Sequence, residues 1–100
     1  MEWRAFHLLE GVEMKVLHRE DSGLFRALIR LAPGAEIPRH RHVLVEDILI
    51  LDGTLVTDGV TMRAGELCHG EVGSIHAASV APSGCTFLLI GAEKNEIFWD

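Results

Sequence analysis

Two segments that place histidines and a glutamate between glycines constrain this chain more than any other feature. The first begins at Gly34, ends at Gly53 and carries His40, His42 and Glu46. Side chains two positions apart in an extended strand point to the same face, so the two imidazoles are expected on one face. Glu46 shares that face if the strand continues; otherwise a loop through residues 43–45 must bring it back. The segment therefore predicts a strand that presents metal ligands.

The second segment begins at Gly65 and contains Glu71, Gly73 and His76. Its histidine can supply a fourth ligand from a strand that comes near only after folding. Three imidazoles and one carboxylate suit a first-row divalent transition metal better than magnesium or calcium. We therefore predict a metal site built from four side chains: His40, His42, Glu46 and His76.

An alternative interpretation of the first segment involves no metal. Arg39 and Arg41 flank the two histidines, and an isolated pair of this kind is more often a solvated, cationic strand edge, because short motifs match by chance. The glutamate, the third histidine and the four glycines together favour the metal site.

Size and composition limit the architecture. The chain has 100 residues, of which 48% are hydrophobic and 10 are glycine. This length supports one hydrophobic core rather than two, and the composition is not that of a disordered chain. We expect a single domain over residues 1–100, with its core at approximately residues 12–91.

Charge and targeting signals limit the partners. The net charge of -6 argues against nucleic-acid binding. No apolar run approaches the length that spans a bilayer, and the N-terminus lacks the layout of a signal peptide. Cys68 and Cys85 have no close spacing and are expected to be reduced, mostly buried thiols, with a disulfide between distant strands left open. The expectation is a cytoplasmic protein with no membrane partner.

Short runs of Val, Ile, Leu, Phe and Thr alternate with turn signals along the chain, which predicts an all-β sandwich or barrel. Two Asp-Gly pairs, at 52–53 and 58–59, predict hairpin turns. No segment has sustained helical periodicity, although residues 7–12 fit one helical turn. The predicted strands are Met14–Leu17, Leu24–Leu31, Ala35–His40, Glu46–Leu51, Thr54–Thr57, Val60–Arg63, Glu66–His69, Ile75–Val80 and Thr86–Gly91.

The two glycine-to-histidine segments resemble the two motifs of the cupin family. The first matches at every defining position. In the second, Glu71 stands where the family usually has proline, and no asparagine follows His76. The resemblance implies an all-β, double-stranded β-helix (a jelly-roll barrel) and carries the same four residues over as metal ligands.

A closer resemblance is to the ChrR-like cupins, carried by residues 11–20, 28–35 and 39–42. These include the C-terminal domain of zinc-binding anti-sigma factors and short relatives similar to acetylacetone-cleaving dioxygenases. Such anti-sigma factors carry a separate helical zinc domain, so a role as a complete anti-sigma factor is not expected here. The resemblance covers roughly residues 12–91 and indicates fold and metal more strongly than reaction, since one fold hosts many functions.

Two functions remain open. Iron(II) held by three histidines and one glutamate would keep coordination positions for a bidentate substrate and oxygen, which favours a dioxygenase-like enzyme acting on a small carbonyl or aromatic compound. Zinc prefers four ligands, so the same residues would also suit a zinc-binding sensor or regulatory domain. We expect iron or zinc first and manganese or nickel next. A free-standing domain without a signalling module is expected to have an activity of its own, which favours the enzyme. No catalytic residue is assigned.

The roles of several other polar residues are less constrained. His69 is expected at the surface more often than facing the barrel interior, and Glu71 is expected to be solvated. His7 and His18 lie outside both motifs and are interpreted as structural or exposed. By strand alternation, the two arginines beside the site histidines should point away from the ligand face and pair with acidic neighbours.

Four aromatic residues lie near the chain ends: Trp3, Phe6, Phe98 and Trp99. They indicate either ordinary packing of the ends or a dimer contact. Because cupins commonly pair through terminal strands and sheet faces, the resemblance implies a homodimer.

Overall fold

The computed structural model describes residues 2–99, and within this range the chain is built from short antiparallel strands without a helix. It accordingly contains no helix long and apolar enough to span a membrane. The strands in chain order are β1 (Arg4–Ala5), β2 (Val12–Arg19), β3 (Leu24–Leu31), β4 (Glu36–Ile37), β5 (His40–Arg41), β6 (Glu46–Thr57), β7 (Val60–Arg63), β8 (Leu67–Gly70), β9 (Ile75–His76), β10 (Ser79–Val80), β11 (Cys85–Ala92) and β12 (Glu96–Ile97).

The long strand β6 joins the two layers of the fold. Its first half pairs with β8 and β11, and its second half pairs with β7 and β10. Among residues 2–99, the larger sheet runs in the order β1-β2-β3-β11-β6-β10-β4, and a small sheet of β12-β5-β9 closes one end. The larger sheet curls because β6 changes layers, which gives the all-β jelly-roll half-barrel that the sequence predicts.

The hydrophobic core fills the curled sheet. Alternate residues of β3 and β11 point inward, and their burial follows the same alternation. Burying an apolar side chain of this size contributes about 1.5–3 kcal/mol. The largest fully buried side chains are Phe25, Phe87, Ile29, Ile50, Leu55, Val12 and Val16.

One predicted hairpin is confirmed and the other is wrong. Asp58 and Gly59 have φ angles of 50° and 76°, and they join β6 to β7 with Thr57 opposite Val60. At the other Asp-Gly pair the strand bends but does not reverse, so β6 is continuous. Gly53 has a φ of 76°, and a Cβ atom there would overlap the carbonyl oxygen of Gly84.

Two other predicted strands, Ala35–His40 and Ile75–Val80, are interrupted in the middle. Pro38 lacks the N–H that a ladder needs, and the chain divides there into β4 and β5. A matching interruption divides β9 from β10, so the first segment passes from the larger sheet into the small one and the second passes back. The residues before Val12 form turns, at 7–8 and 10–11, and not a helical turn. The two-residue strands β1 and β12 lack a periodic signal and were missed.

Candidate metal centre

The small sheet places two of the predicted ligands side by side. His40 on β5 lies directly opposite His76 on β9. His42 follows β5, where its N–H donates to the carbonyl of Ser74 at 2.9 Å and its carbonyl accepts from the N–H of Gly73 at 2.7 Å. The chain then turns through residues 43–45 and returns at Glu46, the first residue of β6. The glutamate therefore reaches the histidines through a loop and not along a continuous strand.

The four predicted ligands form one buried cluster around a single carboxylate oxygen. Glu46 Oε2 lies 2.8 Å from His42 Nε2, 3.5 Å from His40 Nε2 and 3.6 Å from His76 Nδ1. One donor atom from each residue lies within 4.8 Å of all the others, a spacing that can hold a metal ion. The side chains are between 4% and 9% exposed, so water competes weakly for them.

Backbone and hydroxyl groups fix the orientation of two imidazoles. His40 Nδ1 lies 3.0 Å from the carbonyl oxygen of Pro38, which can only accept, so this nitrogen carries the proton. His42 Nδ1 lies 3.0 Å from Ser74 Oγ. The Ser74 hydroxyl donates to the carbonyl of Glu71 at 2.6 Å, and its oxygen is therefore free to accept from His42. Both rings then direct an unprotonated Nε2 at the cluster, the arrangement that metal-bound histidines use.

Two nitrogens in the cluster fit a metal ion better than they fit a metal-free core. His42 Nε2 and His76 Nε2 are buried and make no hydrogen bond to another described residue. Although His42 Nε2 is 2.8 Å from Glu46 Oε2, an unprotonated nitrogen has no hydrogen to donate to a carboxylate. Buried polar atoms without partners are rare in folded proteins. Neutral nitrogens beside a carboxylate match the donor set of iron or zinc.

The electrostatics keep the carboxylate ionised. Burial raises the pKa of Glu46, but the hydrogen bonds and positive charge of the histidines outweigh burial and hold that pKa well below its ordinary value. Burial lowers the pKa of His42. For His40 burial also lowers the pKa, but the hydrogen bonds to Glu46 and to the Pro38 carbonyl outweigh it, and the net pKa is raised. Glu46 is therefore ionised at neutral pH and offers a cation a negatively charged oxygen.

A residue that the sequence did not reveal holds the second oxygen of the glutamate. Asn95 Nδ2 donates to Glu46 Oε1 at 3.1 Å, and Asn95 Oδ1 accepts from the backbone N–H of Val43 at 3.1 Å. The backbone donor fixes which end of the amide faces the carboxylate. Asn95 therefore leaves only Oε2 facing the histidines and also ties down the loop that leads to Glu46.

An apolar cavity opens onto the cluster from inside the barrel. Its polar lining includes His40, Glu46 and His76, and its apolar walls include Phe87 and Leu89. The cavity volume is about 40 Å³, counted as the space open to the centre of a water molecule. A single water needs roughly 10–15 Å³ on this measure, so the cavity is open enough to admit a ligand beside the cluster.

The remaining predicted residues lie outside this cavity, with one exception. His69 is 46% exposed and pairs with Asp47 at 2.6 Å, which confirms a surface position, and Glu71 is also exposed. Cys85 is buried and Cys68 half-buried, and both are free thiols. The exception is His7, which is half-buried and lines the cavity. It lies in an irregular turn that carries no motif.

The arginines beside the ligands behave as strand alternation predicts. Arg41 pairs with Glu96 at 3.0 Å, and Arg39 stacks on the ring of Phe98 at 4.4 Å. Of the other terminal aromatics, Phe6 is buried in the core and Trp99 is 70% exposed. Only the last of these offers an open aromatic surface.

The comparisons with known proteins agree with the geometry. The model of the ChrR cupin-like domain matches residues 1–93. The chain belongs to this family. Asn95 lies just beyond the matched residues. No curated protein matches the chain significantly.

Solved structures share the fold at low identity. A protein of unknown function with a cupin-like fold from Ralstonia eutropha superposes with a TM-score of 0.84 at 22% identity, over 95% of this chain and 63% of that one. An acetylacetone dioxygenase from Acinetobacter johnsonii superposes with a TM-score of 0.73 at 17% identity, over 82% of this chain and 60% of that one. A chain from the complex of Rhodobacter sphaeroides SigE with the anti-sigma ChrR superposes with a TM-score of 0.77 at 24% identity, over 91% of this chain and 48% of that one. This chain therefore spans less than two thirds of each of those chains, and the likeness establishes the cupin fold alone.

Proposed function

We propose that the protein binds one divalent transition metal ion through His40, His42, Glu46 and His76. Iron or zinc matches this donor set best, and manganese or nickel comes next. Support comes from the two buried imidazole nitrogens without hydrogen-bond partners and from the ionised carboxylate between them.

The proposed activity is a metal-dependent, dioxygenase-like reaction on a small carbonyl or aromatic compound. The observation that carries this proposal is the apolar cavity that opens directly onto the proposed ligands. A purely structural metal needs no such space beside it, whereas an enzyme needs room for a substrate.

The chain's own residues would prepare this site for chemistry. Phe87, Leu89 and Leu55 line the cavity and exclude water from the reacting groups. Asn95 restrains Glu46 so that one oxygen faces the histidines. Bound iron would supply Lewis-acid and redox chemistry for oxygen and substrate.

Oxygen uptake by the iron-loaded protein tests this activity. We expect consumption that requires both iron and a small β-diketone or phenolic ketone, with acetylacetone and 2-hydroxyacetophenone as the first compounds. His76→Ala serves as the metal-deficient control and should consume none. An iron-loaded protein that consumes no oxygen with any compound of these classes contradicts the proposal.

A zinc-binding sensor is the second candidate, favoured by the compact shell. Four buried donors that approach one another within 4.8 Å match the four-coordinate preference of zinc, and the family is that of the ChrR cupin-like domain. This function requires a protein partner. Zinc that resists exchange, together with loss of both zinc and partner binding in His42→Ala, would favour it over the enzyme.

We also propose a homodimer that packs through the outer face of the larger sheet. Four leucines occupy one cross-strand row on that face, because Leu67 pairs with Leu49, Leu49 with Leu88, and Leu88 with Leu28. Leu67 is 63% exposed. The strands β2, β3, β11, β8 and the first half of β6 cover about 600 Å² at ordinary strand spacings. Two such faces would bury about 1,200 Å², the lower end for a stable complex.

The charges beside the leucine row are self-complementary. On one side Ile90 pairs with Asp47 and with Arg26, and on the other Thr86 pairs with Asp52 and with Arg30. A two-fold axis parallel to β11 exchanges the two flanking strands, so each aspartate faces an arginine of the second copy. The arginines' contacts within the chain are exposed and therefore weak enough to exchange.

A charge swap measured by sedimentation tests the dimer. Asp47→Arg should shift the protein toward the monomer, and adding Arg26→Asp should restore the dimer. His69→Ala is the control, because it removes the partner of Asp47 within the chain and leaves the charge row intact. A wild-type protein that sediments as a monomer at working concentration removes the proposal.

The remaining proposals concern the chain as a whole. The two free thiols support a reducing, cytoplasmic location. The net charge of -6 supports a small-molecule partner and not a nucleic acid, and no membrane partner is proposed. We treat residues 1–100 as one cupin domain.

A further inference from the structure

A strained turn closes the cavity on the side of the N-terminus. His7 and Leu8 have φ angles of 52° and 57°, and the N–H of Leu9 donates to the carbonyl of Phe6 at 3.0 Å. Two successive left-handed residues normally require Asn or Gly. Leu8 is 91% exposed, so burying its side chain does not account for the strain. Strain of this kind persists where the surrounding structure imposes it, often at functional sites.

The turn holds His7 against the cavity. The His7 ring packs on the ring of Phe6 with centroids 4.3 Å apart and lies against the backbone of Glu93. Glu93 is itself fixed, because both of its carboxylate oxygens accept from Arg19 at 2.7 Å. The imidazole therefore lines the same cavity as the proposed metal ligands, held by an aromatic ring and by an anchored backbone.

One ring nitrogen of His7 remains available. Burial lowers the pKa of His7, so the ring is neutral at neutral pH, and a neutral imidazole has one donor and one acceptor nitrogen. Outside the four-residue cluster, the other polar side chains in the cavity are engaged: Ser79 donates to the carbonyl of Ala77, and Asn95 bonds to Glu46 and to Val43.

We propose that His7 is a ligand-positioning residue, which accepts a hydrogen bond from the hydroxyl of a small enol or phenol bound between it and the four-residue cluster. The inference rests on the proposed function, because the cluster must engage the other end of the ligand. It adds a residue from outside both motifs and a requirement that the ligand carry a hydroxyl donor. The apolar walls of the cavity contact the remainder of the ligand.

Calorimetric binding to the zinc-loaded full chain tests this without turnover. The probes are acetylacetone, which forms an enol, and 3,3-dimethylpentane-2,4-dione, which cannot. His7→Ala should weaken acetylacetone binding by about tenfold, the usual effect of losing one buried hydrogen bond. Leu8→Ala is the matched control, since it places alanine at the same kind of φ in the same turn, and it should bind acetylacetone normally. The non-enolisable probe should bind weakly to all three proteins.

Three results overturn the inference: equal losses in both variants, equal effects on both probes, or no binding of acetylacetone by the wild type. Zinc content measured on the same samples separates the two proposals. If the samples hold one zinc per chain and His7→Ala binds acetylacetone as tightly as the wild type, the metal site stands and only the role of His7 is removed. A wild type without zinc removes both.

Discussion

Replacing Gly70 with alanine is expected to displace His42 from the proposed metal site without changing any ligand or charge. The added Cβ would lie 2.5 Å from His42 Nδ1, whereas ordinary contact begins at 3.4 Å. The imidazole must therefore move by about 0.9 Å, the difference between these distances, while metal sites tolerate roughly 0.2 Å. Gly70 does not have a left-handed φ, so alanine introduces no comparable backbone strain.

The neighbouring Gly91 provides a matched control. A Cβ there would lie 3.3 Å from Glu46 Cγ, so that ligand needs to move by only a tenth of an ångström. Removing an outer-shell partner usually weakens metal binding by about 10- to 100-fold, and losing a ligand should do more. We expect Gly70→Ala to weaken zinc binding by at least about 100-fold, or about 2.7 kcal/mol, and Gly91→Ala by less than about tenfold.

Competition with a chromophoric chelator measures both affinities, and thermal melts of the metal-free variants check that each one folds. A folded Gly70→Ala protein that binds zinc as tightly as Gly91→Ala would refute the assignment of His42 as a ligand. The same result would contradict the view that close contact with Gly70 fixes the His42 ring.

Three further outcomes follow from the site and the core. Asn95→Ala should weaken zinc binding by about 10- to 100-fold in a chelator titration, while Lys94→Ala, its exposed neighbour, should not. Zinc affinity should fall as pH decreases through the histidine range, because His40 takes up a proton while Glu46 stays ionised. A zinc affinity that stays constant from pH 7.5 down to the carboxylate range near pH 4 would contradict this. Phe87→Ala should destabilise the fold by about 3–5 kcal/mol in urea unfolding, and a loss below 1 kcal/mol would mean that Phe87 is not a core residue.

Local patterns predicted the features that depend on residues close together in sequence. The strand Leu24–Leu31 follows from alternation alone, and the Asp58–Gly59 turn follows from residues that tolerate positive φ. The spacing of two positions predicted His40 and His42 on one strand, whereas the structure has only His40 within β5 and His42 directly after it. The hairpin predicted at Gly53 failed, since the same residue type also suits a bend where β6 changes layers.

These patterns could not predict contacts between residues that lie far apart in the sequence. Asn95 meets Glu46 across 49 positions, and no spacing rule connects a single amide to a carboxylate so far away. His7 reaches the cavity only because an irregular turn places its ring against Phe6. Both residues lie outside the glycine-to-histidine segments, so sequence reasoning that starts from motifs finds the four proposed ligands and misses Asn95 and His7 beside them.

The most direct test of the account is the metal content of untagged protein purified without chelators, measured by elemental analysis beside His76→Ala. The account predicts close to one iron or zinc ion per chain in the wild type and a near-complete loss in the variant, with both proteins folded. A wild type without a transition metal, or a variant that keeps a full equivalent, would contradict the claim that His40, His42, Glu46 and His76 form a metal site.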